Sequence, residues 1–162
     1  MSILRRIQPI FVLFIAFVFI QSLFFKFTNS PETVHIFGTL DAWATGLGFP
    51  GLFAPSGIFS QYVIGSAELV ASLILLASLI PALRGLRPFG ALMAMGVISG
   101  AIVFHLFTPL GVSVPNADGT QDGGLLFGLA CLVWISSAIL ILVNRDRLLA
   151  LVGGGKGKTS FA

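Results

Sequence analysis

Residues 21–37 read QSLFFKFTNSPETVHIF, the place where a long apolar run gives way to groups with chemistry. Upstream, MSILRRIQPIFVLFIAFVFI runs without a break into these phenylalanines, so the segment up to about Phe27 exceeds the roughly 20 apolar residues that cross a bilayer. Lys26, Glu32 and His35 then follow in close order. Ser30, Pro31 and Glu32 have the form of a helix start, with a hydroxyl cap, a proline at the first helical position and an acid in the first turn. Val34, Phe37, Leu40, Trp43 and Leu47 recur at helical spacing after it. They predict a short amphipathic helix on the membrane surface, ended by Gly46, Gly48 and Pro50.

Outward from this stretch the same apolar character dominates. The 162 residues are 56% hydrophobic and only 9% charged, which lies outside the range of soluble domains. Further apolar runs extend from about Gln61 to Leu83, Pro88 to Leu110 and Gly123 to Val143. The expected fold is all-α: a polytopic membrane protein, a four-transmembrane-helix bundle with the amphipathic helix in its first outward loop. It occupies residues 1–150, and a flexible basic tail able to touch anionic lipid fills residues 151–162. Arg5 and Arg6 before the first run also resemble the opening of a secretory signal, but no small-residue cleavage site follows, and the run reads as a retained helix. Arg5, Arg6, Arg84, Arg87, Arg145 and Arg147 fall at one set of helix ends and Lys26 at the other, which predicts that both termini are cytoplasmic. That orientation accounts for the basic charge, and no nucleic-acid partner is needed. The single cysteine, Cys131, excludes a disulfide framework, a Cys-x-x-Cys relay and a thiolate cluster. The tail segment GGGKGKT imitates a phosphate loop, but Val152 stands where the pattern requires glycine and no strand precedes it.

Polar residues inside the apolar runs are the candidate site. An acid within a membrane helix is costly and turns toward the bundle or a wet cavity, so Glu68 is the sharpest signal. It lies roughly 12 Å below the outer end of its span at 1.5 Å per residue, and Gln61, Gly65 and Ser72 share its face. His105 lies roughly 7 Å deep by the same rise, with Ala101 and Thr108 on its face. Gln21 and Lys26 reach the same half of the membrane, and Asp122 waits at the mouth. Two readings fit. Glu68, His105 and Lys26 can form a structural network that fixes helix register, or an outward-facing pocket for a quinone headgroup, a lipid-like substrate or a cation. Glu68, His105, Asp122 and His35 also offer metal-ligand chemistry, but no local spacing supports a metal site. Asp118-Gly119 reads as a turn and Asp122-Gly123-Gly124 as the cap of the last helix. The pairs Gly96/Gly100 and Gly124/Gly128 have helix-packing spacing, read as contacts within the bundle in preference to a homodimer interface.

In order along the chain, the Phe-Lys-Phe end of the first helix, Ser-Pro-Glu-Thr after it, Glu68, the arginine-bearing turn, His105 and the Asp-Gly-Gly-Leu-Leu-Phe opening of the last helix resemble the DoxX family of small bacterial inner-membrane proteins. The resemblance runs from about Arg5 to Arg147. It implies a four-helix bundle in the bacterial plasma membrane and, for some members, links to quinone-dependent redox chemistry. The functional expectation is a redox-linked accessory or membrane subunit of a quinone-linked oxidoreductase, served by a soluble or membrane redox partner. Glu68 and His105 would handle protons, with Gln21, Lys26 and Asp122 as further ligand-binding groups and quinone as the cofactor. The rivals are a small proton- or cation-coupled transporter working as a homodimer, and a non-catalytic anchor or assembly factor.

Overall fold

A computed structural model describes residues 2–153. Its helices are α1 (Ser2–Phe27), α2 (Pro31–Gly46), α3 (Gln61–Ala77), α4 (Arg87–Phe107), α5 (Leu125–Val143) and α6 (Arg145–Gly153), with a 3₁₀ segment, Pro81–Leu86, leading into α4. No strand occurs among the described residues; Pro115 and Gln121 form one isolated antiparallel bridge. Three helical stretches are long and apolar enough to cross a membrane: Ile3–Phe27, Pro81–Phe107 and Leu125–Val143. They mark the chain as a membrane protein.

The second apolar run is shorter than its composition suggests. Helix α3 stops at Ala77, well before Leu83, and its 17 residues fall below the length of the other three. Ser78 ends it: its N–H closes on the Ile74 and Leu75 carbonyls, and its hydroxyl donates to the Leu75 carbonyl at 2.6 Å. Pro81 then has no N–H to continue the ladder and restricts the residue before it. The apolar letters from Leu79 to Leu83 are thus spent on a turn.

Helix α1 packs on α3 and α5, and α4 packs on the same two, so four helices close a ring. Their shared core holds Val12, Ile15, Phe19, Leu75, Val133 and Leu140, thinned by Ala71, Ala91 and Ala94. Among the glycines within the ring helices the tightest contact is at Gly90, where an added Cβ would lie 2.8 Å from Leu75 Cγ. Of the glycine pairs expected to make such contacts, only Gly124 meets a close neighbour, its added Cβ 3.3 Å from Val112 Cγ1, and that glycine lies in a loop and not on a helix. A Cβ at Gly96 or Gly128 meets nothing within 4 Å, and one at Gly100 meets only the Phe104 ring at 3.9 Å. Gly124 is instead left-handed, at φ 85°, just before α5. Around the ring, large apolar side chains such as Phe17, Phe24, Leu73, Leu132 and Ile135 point away from the core. On this scale such exposure signals a lipid-facing surface.

One end of the ring carries a cap with its own small core of Leu40, Ala44, Phe53, Leu110 and Val114. Helix α2 begins as the sequence predicts, with the Ser30 hydroxyl accepting the Thr33 N–H at 3.3 Å. Its apolar stripe is only partly used: Leu40 is buried, while Val34 and Leu47 are 56% and 58% exposed. Asn29, at φ 54°, supplies the left-handed residue that turns α1 into α2, a role its short amide side chain tolerates. The loop after α2 is pinned by the Phe53 N–H donating to Asp41 Oδ1 at 3.0 Å. It folds back so tightly at Gly57 that a Cβ there would strike the backbone of Gly51 and Leu52. At the opposite end, α6 extends helix through Gly153, past residue 151, the expected start of the flexible basic tail. The tail expectation for residues 154–162 lies outside the described residues.

Candidate functional site

Below the cap, the ring frames a half-open cavity of about 560 Å³. Its walls are largely apolar, drawn from Phe19 and Phe25 of α1, Ile36 and Phe37 of α2, Phe104 of α4 and Leu129 of α5. Gln21, Lys26, Glu68, His105 and Asp122 all line it, so the five residues singled out in the sequence meet on one surface. Ser22 and Glu32 join them.

One polar group of the cavity is an ion pair. Lys26 Nζ lies 2.9 Å from Glu68 Oε2 and 3.0 Å from Oε1, while the Ser22 hydroxyl donates to Oε2 at 3.0 Å. Lys26 also donates to Ser22, one helical turn away on α1. Both charged side chains are largely removed from solvent, at 16% and 6% exposure. Placement follows from packing: Gly65, one turn before Glu68, touches Leu23, Lys26 and Phe27 at 3.3–3.5 Å once given a Cβ, so α1 and α3 approach closely there. Gln61 locks the upper end by donating to the Lys26 carbonyl at 2.9 Å and to Asn29 Oδ1. The buried face of α3 is Gln61, Gly65, Glu68, Ala71, Ser72 and Leu75, which contains the stripe read from the sequence.

His105 faces the cavity from α4 and has separate partners. Its Nδ1 lies 2.6 Å from the Gly111 carbonyl, which can only accept, so Nδ1 carries a proton. In the neutral ring, Nε2 is therefore an acceptor. Phe127 of α5 packs edge-on against the ring at 5.7 Å between centroids. The hydrogen bonds of the Glu68 carboxylate run to α1 and that of His105 to the loop after α4, so the two groups face a shared space from different walls.

Asp122 anchors the mouth. Its Oδ1 accepts from the Val114 N–H at 2.8 Å, the Gly124 N–H at 2.9 Å and the Ser113 hydroxyl at 3.1 Å; Oδ2 accepts the Leu126 N–H at 3.0 Å. Burial pushes this carboxyl up, and the four hydrogen bonds outweigh that and hold it below its ordinary range. The N-cap position of α5 is Gly124, which has no side chain, and Asp122, two residues before it, satisfies the Leu126 N–H of the first turn and ties the bridge-forming loop to α5. Glu32 ties the same loop to α2 by accepting the Ala117 N–H at 2.9 Å. Its own backbone N–H and the Ser30 hydroxyl hold its carboxyl low. Asp118 organises the loop tip as the expected turn, accepting the Thr120 N–H at 2.9 Å. The Thr120 hydroxyl and N–H together hold its carboxyl low.

His35 is exposed on α2 and does not line the cavity. Among the described residues, no three histidine, cysteine, aspartate or glutamate side chains gather to hold a metal ion. Sequence reasoning left out Ser22 and Asn29, ordinary polar letters whose importance comes from partners 46 and 32 positions away. It noted Glu32 without placing it at the cavity; its capping signature was the available clue. The glycines Gly96 and Gly100, read as packing sites, line the cavity instead and leave it room. No protein-family model, curated protein or solved structure matches the chain.

Proposed function

We propose that this chain is a DoxX-like protein of the bacterial plasma membrane with four crossings and both termini in the cytoplasm, and that its capped cavity binds a quinone or a similar apolar small molecule. The observation that carries this reading is the polar cluster set into an otherwise apolar cavity of about 560 Å³. A flat ring carrying carbonyl or hydroxyl groups suits such a space. Apolar walls take the ring and the first part of a tail, and a few fixed polar groups orient its oxygens. The donors of Lys26 and Ser22 are engaged with Glu68 and each other, so a ligand oxygen draws one by displacing a bond to that carboxylate, and Nε2 supplies an acceptor when the His105 ring is neutral. Gln21 and Asp122 also line the cavity. The chain has too few cysteines to ligate an iron–sulfur cluster, so electrons would reach the quinone from a redox partner or a bound cofactor, with this protein as an accessory or membrane subunit.

A fourth crossing by α3 is supported by its outer face, where Val63, Leu69, Val70 and Leu73 are exposed. Native mass spectrometry and solvent extraction of gently purified protein test the ligand reading. The expected result is a long-chain quinone retained by the native chain and lost from His105→Ala and Gly100→Leu, both still helical by circular dichroism. Recovery of phospholipid alone from the native chain would overturn it.

A further inference from the structure

The end of the ring remote from Glu68 holds a second cavity, of about 410 Å³. Arg5, Arg6, Arg84, Arg87 and Arg147 stand on its wall. Among the described residues Asp146 is the one acid there, and its carboxylate lies 3.7 Å from exposed Arg145 outside the cavity. Five guanidinium groups against one carboxylate leave a surplus of four positive charges facing a single hollow.

Arg87 is the reason this is more than a scatter of surface charge. It is buried, at 7% exposure, where α4 begins. Its Nη1 donates to Gln8 Oε1 at 2.8 Å and its Nη2 to the Ser78 carbonyl at 2.8 Å. Asn144 of the α5 end donates to the same Gln8 oxygen at 3.1 Å. Every one of these partners is neutral. Each nitrogen of Arg87 has one hydrogen-bond partner, Nε donating to the Ser78 hydroxyl at 3.3 Å, but its charge has none, and no carboxylate pairs with it among the described residues. A guanidinium withdrawn from water without a counter-charge is costly, and like charges nearby add to the cost. Basic residues at a cytoplasmic helix end are expected from membrane orientation alone. That rule does not place five of them around a concave site or bury one.

The remaining wall identifies the anion. Pro9, Leu79 and Val143 are the apolar part of its lining, and Ile10, Ile80 and Leu83, next to lining residues in the sequence, are exposed. A free inorganic anion would leave those surfaces unused, whereas a headgroup attached to acyl chains fills the hollow and covers its flank. Arginine forks match phosphate oxygens in pairs. We propose that this hollow binds the phosphodiester headgroup of an anionic phospholipid, supplying the counter-charge that Arg87 lacks. The site is independent of the quinone reading, since it shares no lining residue with the first cavity.

The test uses the purified full chain in neutral detergent, offered equimolar dioleoyl phosphatidylglycerol and dioleoyl phosphatidylcholine, with bound lipid counted by native mass spectrometry. Thermal unfolding is followed with each lipid and with inorganic phosphate. Phosphatidylglycerol should be retained in preference and raise the unfolding temperature. Both effects should fall in the variant Arg84→Ala/Arg147→Ala, whose two side chains are exposed and whose fold does not depend on them. Loss of two surface arginines predicts about thirtyfold weaker retention. Equal retention of the two lipids, retention unchanged in the double variant, or stabilisation by inorganic phosphate in place of phosphatidylglycerol would each overturn the proposal.

Discussion

Lys26 and Glu68 are withdrawn from solvent together, so each charge is tolerated because the other is 2.9 Å away. Removing one alone leaves the other stranded: Glu68→Leu should cost about 3–5 kcal/mol, the usual penalty for breaking a buried pair. The double variant Lys26→Met/Glu68→Leu replaces both charges by apolar groups of similar reach and should recover most of that loss. Reversible denaturation in detergent measures both. A single variant as stable as the native chain would mean that water reaches the pair. Quinone retention separates structure from binding, because the recovered double variant should still fail to hold the ligand if the pair orients it. Asp122 makes a second residue-scale case. Its folded carboxyl is held below the ordinary value of 3.8, so its contribution is fully present above that pH and is lost as the pH falls through the lower folded value. Protection of the Val114 and Leu126 amides against hydrogen exchange, taken relative to the intrinsic rate at each pH, should therefore fall in acid. Asp122→Ala should lower it at neutral pH, with a loss of about 1–2 kcal/mol typical of a deleted helix cap.

At the scale of elements, the sequence was legible wherever one rule acted locally. Ser30-Pro31-Glu32 marks the start of α2 because capping needs only residues a turn apart, and the observed helix begins at Pro31. The spans α1, α4 and α5 follow from length and apolarity, which local composition determines. The end of α3 was misread because hydropathy does not distinguish Leu79–Leu83 from a helix; Ser78 and Pro81 decide it through hydrogen bonding. The glycine pairs were misread for the opposite reason. Spacing shows where a close approach is permitted, and only the neighbouring helix shows whether one occurs. Contact with Leu75 occurs at Gly90, while Gly96 and Gly100 open onto the cavity. The Glu68 face was visible as a stripe, but its Ser22 partner and the joining of Arg87 to Gln8 depend on helices adjacent in space and remote in sequence. Gly57 gives this scale its prediction. Its missing Cβ lets the chain after α2 fold back against Gly51 and Leu52, so Gly57→Ala should displace Phe53 from the cap core. Proteolysis within residues 47–60 should then become faster, while the helical content of the ring stays unchanged.

For the whole molecule, the connection between the two cavities constrains how the chain crosses the bilayer. The α1 end bearing Lys26 meets the first half of α3 at the capped cavity, and the 3₁₀ segment after α3 brings Arg84 back beside Arg5 and Arg6. Helix α3 thus carries the chain from one end of the ring to the other. Its 17 residues span about 25 Å at 1.5 Å per residue, a few ångströms less than a typical hydrocarbon core. Local thinning of the bilayer absorbs a mismatch of that size at modest cost, and arginines at the short end can reach the interface. The proposed four crossings therefore predict sidedness that single cysteines can read, after Cys131→Ser removes the native thiol. His35→Cys and Asp118→Cys, both at exposed cap positions, should react with a membrane-impermeant maleimide added to intact cells. Gly85→Cys and Arg145→Cys should react only after the membrane is opened; a side chain at Gly85 meets nothing within 4 Å, so the probe itself does not disturb the turn. Labelling of Gly85→Cys from the same side as His35→Cys would show that α3 does not cross. Labelling of Gly85→Cys and Arg145→Cys from outside, with both cap positions protected, would invert the orientation and place the arginine hollow on the outer face.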